Sequence, residues 1–272
     1  MTVTDTIDLA AVKRGQQAMW ASGDFGVIAT MIHVVAERLV DSVDPAAGSR
    51  VLDVASGTGN AAIAAARYGC RVTSSDYVPG LLAHGRERAR AERLDIAFET
   101  ADAEALPYGD GAFDAVLSVF GSMFAPDQPR AAAELVRVCR PGGSVGLASW
   151  TPEGFLGEWF RTTAKHVPPP AGLASPLRWG TEDAIVELLG DEVGSIRSRR
   201  RTFTWRFTDA AAFVGTMRRW YGPTVKAFAA VGDEGAAALE QDLIAVVERS
   251  ARRRDDAIAV PAEYLEVVAV RR

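Results

Sequence analysis

The chain has 272 residues, 48% of them hydrophobic, enough for one large domain or one domain with a cap. A formal charge of −5 and a pI near 5.4 give no electrostatic drive toward nucleic acid, and no run of 18 apolar residues is present to span a membrane. The only cysteines, Cys70 and Cys139, have no metal-ligand spacing and fall in an alternating α/β pattern, which excludes a disulfide framework and fits a reduced, cytoplasmic setting.

The first ten residues are too polar for a signal peptide. Asp24 is placed to cap a helix whose apolar face is Phe25, Ile28, Ala29, Ile32, Val35, Ala36 and Leu39. Val51, Leu52 and Val54 then read as a buried strand ending in the turn Ala55-Ser56-Gly57-Thr58-Gly59, with a helix from Asn60 to Ala66. Glycines there let the backbone turn tightly and approach a ligand. Strand, Gly-rich turn and helix make a nucleotide-binding corner at a helix N-terminus.

Residues 71–76 form the next strand, ending in Asp76, 23 positions after Asp53. Ile96-Ala97-Phe98 is a short strand followed by Asp102, and Phe113 to Ser118 is a fourth. A helix ends at Pro141-Gly142-Gly143 before a strand from Ser144 to Ser149. Residues 151–180, with Pro168-Pro169-Pro170 and Pro176, read as a stiff connector or lid. Strands at 201–207 and 264–270 flank an insertion, 208–261, that carries two helices.

Which nucleotide binds is not decided by the glycines, because Gly57 to Ala62 also satisfies a relaxed dinucleotide fingerprint. Asp53, at the end of the first strand, either repels a pyrophosphate and favours a cationic ligand, or only caps the glycine loop. Asp76 is placed to reach ribose hydroxyls. A carboxylate at Asp102 can accept from an adenine amino group. Three acids at successive strand ends point to a nucleoside bearing positive charge.

Residues 50–149 resemble the class I S-adenosylmethionine-dependent methyltransferases, nearest the small-molecule branch that includes ubiquinone/menaquinone-type enzymes. The resemblance is carried by Val51-Leu52-Asp53-Val54-Ala55-Ser56-Gly57-Thr58-Gly59, Asp76-Tyr77 and Asp102-Ala103-Glu104-Ala105-Leu106-Pro107. Phe113-Asp114-Ala115-Val116-Leu117-Ser118 and Leu135-Val136-Arg137-Val138-Cys139-Arg140-Pro141-Gly142-Gly143 complete it. Ala55 departs from a frequent glycine and narrows the space beside the methionine moiety.

The resemblance implies an α/β fold with a Rossmann-like, seven-stranded, mostly parallel sheet, an antiparallel last strand and helical cap segments. It divides the chain into an N-terminal helical cap (1–49), a cofactor-binding core (50–150) and a C-terminal part (151–272). That last part holds the connector, the final strands and the cap insertion. Asp53 and the Ala55–Gly59 backbone would surround the methionine part, and Asp76 would hold the ribose with Tyr77 on adenine. Asp102 would take the adenine amino group and the Ala103 N–H a ring nitrogen, while Ser118, Val119 and Phe120 would line the sulfonium. The segment 17–23 would fold over the cofactor, with Trp20 either contacting it or packing on the core edge.

The implied activity is methyl transfer to a small molecule. Phe25, Phe120, Met123, Phe124, Trp220 and Tyr221 suggest a hydrophobic or aromatic acceptor. A cofactor-binding cyclase or binding protein without methyl transfer, or an NAD-dependent oxidoreductase, are the alternatives. His33, His84 and His166 are the only histidines, and none is assigned as a base. The scarcity of lysine (Lys13, Lys165 and Lys226) suits a GC-rich bacterial genome.

Overall fold

A computed structural model describes residues 7–272, so most of the polar N-terminal decapeptide, residues 1–6, lies outside the described residues. Asp8 caps α1 (Leu9–Trp20) by accepting from the Ala11 N–H, and Asp24 caps α2 (Phe25–Val43) through the Gly26 N–H at 2.9 Å. The two helices meet at 92°. The face of α2 expected to be apolar is buried from Ile28 to Leu39, and Val40 extends it.

The alternating core follows: β1 (Arg50–Val54), α3 (Asn60–Arg67), β2 (Arg71–Asp76), α4 (Pro79–Ala91), β3 (Ile96–Thr100), β4 (Phe113–Val119), α5 (Gln128–Val138) and β5 (Cys139–Trp150). Then come α6 (Phe155–His166), α7 (Glu182–Leu189), β6 (Val193–Phe207), α8 (Ala210–Trp220), α9 (Gly222–Ser250), β7 (Arg252–Arg254) and β8 (Ala257–Arg271). Strand order is β3-β2-β1-β4-β5-β8-β6, with β7 beside β8. Strands β1 to β5 pair in parallel, and β8 lies antiparallel to both β5 and β6. This is the Rossmann-like sheet the resemblance implies, with the three-residue β7 as an eighth strand. The order reverses between β1 and β4, and ligands of such sheets bind beyond the strand ends at that point.

Four boundaries differ from the sequence reading, the first being that α5 ends at Val138 and β5 begins at Cys139, not Ser144. The stretch 151–180 is not all connector, because its residues 155–166 form α6, which buries Phe155, Leu156 and Trp159 ahead of the prolines. Strand β6 begins at Val193, not Arg201. Its first half lacks an apolar alternation because it is an exposed edge, with arginines at 197, 199 and 200. Strand β8 begins at Ala257, so the insertion's helices end at Ser250 and Pro261 sits inside a strand. Pro261 is tolerated because it falls between the residues of β8 that pair with β7 (257–259) and with β5 (264–270).

Among the described residues, no single helix is long and apolar enough to cross a membrane. Cys70 and Cys139 are free and buried.

Candidate active site

A cleft opens at the reversal of strand order. Its floor is the turn after β1. Ala55, Gly57 and Gly59 there take φ values of 50°, 56° and 78°, and α3 starts directly after. Ser56 is tied to β2 by its N–H to Ser75 O and by the Ser74 hydroxyl, 2.8 Å from its own. Arg88 of α4 braces the turn from behind, donating to Thr58 O, Thr58 Oγ1 and Asn60 Oδ1. Opposite, Phe120 after β4 holds φ at 55°, an unusual conformation for a bulky residue. Ala55 and Gly121 touch so closely that a Cβ on Gly121 would lie 2.1 Å from Ala55 O. Glycine is therefore required where the two loops meet.

Asp76 ends β2, 4% exposed, and accepts from the Gly57 N–H with one oxygen and the Val78 N–H with the other, both at 2.8 Å. Burial outweighs these bonds and pushes its carboxyl up to about 6. Each oxygen keeps a lone pair for a ligand hydroxyl. Tyr77 lines the cleft beside it, and burial raises its phenol. Beyond β3, Asp102, Ala103 and Glu104 form the far wall.

From above, α1 contributes Lys13, Gln16 and Trp20, which share one face at i, i+3 and i+7. Lys13 bridges Asp102 and Glu104; its partial burial opposes the charge, but the two carboxylates outweigh it and push the ammonium's pKa up. Gln16 Oε1 is buried without a partner among the described residues. The cleft thus holds three carboxylates, one ammonium and an unused amide oxygen. This donor set suits a cationic ligand rich in hydroxyl and amino groups.

Of the residues expected at the site, Trp20, Phe25, Ala55, Ser56, Gly57, Asp76, Tyr77, Asp102, Ala103, Val119 and Phe120 line this cleft. Six do not. Asp53 is 1% exposed and faces inward, accepting from the Ala62 N–H at 2.9 Å. Burial, with the nearby Asp76 charge, raises it to about 7 against the Ala62 bond. The capping role left open for Asp53 is therefore the one its geometry supports, and its carboxylate does not line the cleft where a pyrophosphate would lie. Thr58 and Gly59 turn toward α4 and β2. Ser118 points to the opposite side of β4 from Val119, donating to Val54 O and accepting from Ser122 N. Met123 is 1% exposed in the core. Trp220 lies outside, with the Arg219 guanidinium over its ring, while its carbonyl accepts from the Asp24 N–H.

A second, smaller chamber shares Trp20, Phe25, Ile32, Phe120 and Phe124 with the cleft. Tyr221, Trp150, Leu156, Trp159, Trp205 and Met217 are among its other walls, and no charged side chain lines it. Trp20 meets Phe124 and Tyr221 edge-on at 5.0 and 5.7 Å, and Phe120 stacks on Trp150 at 3.7 Å. Burial raises the Tyr221 phenol.

The sequence reading missed Lys13 and Gln16 because a polar helix face reads as solvated, and Glu104 because an acid in a turn reads the same way. Trp150, Leu156, Trp159 and Trp205 read as core. His33, His84 and His166 line neither cavity; they face Thr30 O, Asp24 and Asp242 respectively.

Comparison with known proteins agrees with this geometry. Residues 51–143 match the family described as "Methyltransferase domain". The uncharacterized protein Rv1405c of Mycobacterium tuberculosis is 40% identical over 267 residues, 97% of this chain and 96% of that protein. A demethylmenaquinone methyltransferase of Deinococcus radiodurans is 42% identical over 127 residues, 45% of this chain and 53% of that protein. Among solved structures, the YcgJ protein from Bacillus subtilis superposes with a TM-score of 0.61 at 15% identity, covering 88% of this chain and 99% of that one. With the sheet order, the acid-lined cleft and these likenesses together, the chain belongs to the class I S-adenosylmethionine-dependent methyltransferases.

Proposed function

We propose that the chain methylates an apolar, largely aromatic small molecule held in the second chamber. The observation that carries this reading is the contact between two unlike cavities. One bears Asp76, Asp102, Glu104 and Lys13, the other bears no charge, and Trp20, Phe25 and Phe120 belong to both.

S-adenosylmethionine, when bound, supplies an electrophilic methyl group on a sulfonium and leaves as S-adenosylhomocysteine. Asp76 would hold the ribose hydroxyls, Tyr77 would pack on adenine, and Asp102 with the Ala103 N–H would read the adenine edge. The Ala55–Gly57 backbone surrounds the methionine part, with Gln16 Oε1 available to an ammonium. Val119 and Phe120 would line the methyl group, with Phe120 at the boundary with the acceptor chamber. The chain's own contribution is alignment and exclusion of water, and orientation of this kind is worth about 7–11 kcal/mol in favourable cases.

In this reading the described part of the N-terminal cap, residues 7–49, and the helices of the insertion cover the 50–150 core. The Asp24 N–H bond to Trp220 O, 3.2 Å, supports it by joining the two cap segments. A small-molecule partner, rather than nucleic acid or a membrane, and a cytoplasmic setting accompany it, on the charge of −5 and the two free cysteines. Isothermal titration with S-adenosylhomocysteine and NAD, followed by transfer of labelled methyl from S-adenosylmethionine to a panel of aromatic and aliphatic acceptors, tests it. NAD binding without S-adenosylhomocysteine binding, or transfer confined to charged acceptors, would sink it.

A further inference from the structure

Trp205 lines the uncharged chamber from β6, where it pairs with Val260 of β8. Its ring is wedged edge-on between Phe203 at 5.0 Å and Phe213 at 5.7 Å, so its orientation is set by packing. Its Nε1 is buried and has no hydrogen-bond partner among the described residues. Buried N–H groups are almost always paired, and one left unpaired is destabilising. Because Trp205 stands in the chamber wall, a ligand seated there can bring the missing acceptor atom.

The rest of the chamber narrows the chemistry of that ligand. Apart from tryptophan N–H groups and the Tyr221 phenol, its lining side chains are aliphatic, aromatic or thioether. A carboxylate or an ammonium placed there would be buried without a counter-ion. A hydrogen-bond-accepting oxygen on an uncharged molecule meets donors instead.

We propose that Trp205 is a positioning residue for the acceptor, its Nε1–H donating to an oxygen of an uncharged, mainly apolar molecule. This rests on the reading of the chamber as the acceptor site, and it adds the residue that orients the acceptor and the atom that is recognised.

The test uses the full chain saturated with S-adenosylhomocysteine and three probes: 1-naphthol, 1-methylnaphthalene and 1-naphthoate. With 15N-labelled protein, the Trp205 indole resonance, identified by its loss in Trp205→Phe, moves downfield on adding 1-naphthol and not on adding 1-methylnaphthalene. By titration, the ratio of 1-naphthol to 1-methylnaphthalene affinity falls about fivefold or more from the wild-type chain to Trp205→Phe, as expected when a buried hydrogen bond loses its partner. The charged 1-naphthoate binds at least about tenfold more weakly than 1-naphthol.

An indole resonance unmoved by bound 1-naphthol, a ratio unchanged in a folded Trp205→Phe chain, or 1-naphthoate binding as tightly as 1-naphthol would each overturn the proposal. The resonance is read on the wild-type chain, so the test survives a poorly folded variant. S-adenosylhomocysteine titration of the same samples separates the two ideas. Intact cofactor binding with an unmoved resonance removes the Trp205 anchor alone, whereas failure to bind the cofactor removes the methyl-transfer reading.

Discussion

Lys13 on α1 forms an ion pair with Asp102, 89 positions away, and so joins the N-terminal helix to the acidic wall of the cleft. Helix α1 has no buried residue, and the Gln17 side-chain bond to Tyr77 O is another of its ties to the core. A part-exposed pair of this kind is worth about 0–1 kcal/mol. In Lys13→Met, amide exchange over residues 9–20 should quicken by about two- to fivefold. Exchange unchanged across α1 would mean the helix is held by its packing alone.

Asp76 both braces the glycine turn and faces the cleft. Asp76→Ala should weaken S-adenosylhomocysteine binding by about one to two orders of magnitude, the value of charge-assisted hydrogen bonds. It should also lower the melting temperature, since the Gly57 and Val78 N–H groups lose their acceptor. Hydroxyls donate best to the ionised carboxylate, whose pKa lies at about 6, so affinity should fade as pH drops below that value. Titrations at several pH values check the direction. Affinity flat down to pH 5 would place the ribose elsewhere.

Asp53 predicts a pH dependence of stability. Its carboxyl titrates near 3.8 when unfolded and at about 7 when folded, so the folded state binds more protons between those values. The contribution of Asp53 to stability then falls as pH rises from about 4 to about 7 and levels off above, the reverse of a salt-bridged acid. Asp53→Asn keeps an oxygen for the Ala62 N–H and removes the titration. The melting temperature of the variant minus that of the wild-type chain should grow over that window. A difference independent of pH would show that Asp53 is ionised throughout.

Ala55 occupies left-handed backbone at φ 50°. The cost of that conformation for a residue with a Cβ exceeds the extra chain entropy of glycine, so Ala55→Gly should stabilise the protein by about 1 kcal/mol. Urea denaturation reads the shift directly. A lower midpoint would mean that the methyl group's contacts outweigh the backbone strain.

What could be read from the sequence was what depends on near neighbours in the chain. Val51, Leu52 and Val54 are buried as their run predicts, Asp24 caps the helix it precedes, and Asp76 stands at the strand end its spacing requires. These are consequences of strand period, capping chemistry and the length of a crossover, all set within about 25 residues. The same local signals could not say which way Asp53 points, because an acid at a strand end caps a helix or faces a ligand with equal ease. Nor could they tell Trp220 from Tyr221, adjacent aromatics at the end of α8, of which only Tyr221 reaches a cavity.

The acceptor chamber belongs wholly to tertiary structure. Its walls come from α1, α2, the loop after β4, β5, α6, β6 and α8, and each apolar wall residue carries the same local signature as core. Only the packing of these distant elements decides whether an aromatic ring fills space or leaves it. The partner of Lys13 was hidden for a related reason: a charge on a polar helix face shows in sequence that it avoids the core, but not which carboxylate the fold brings to it.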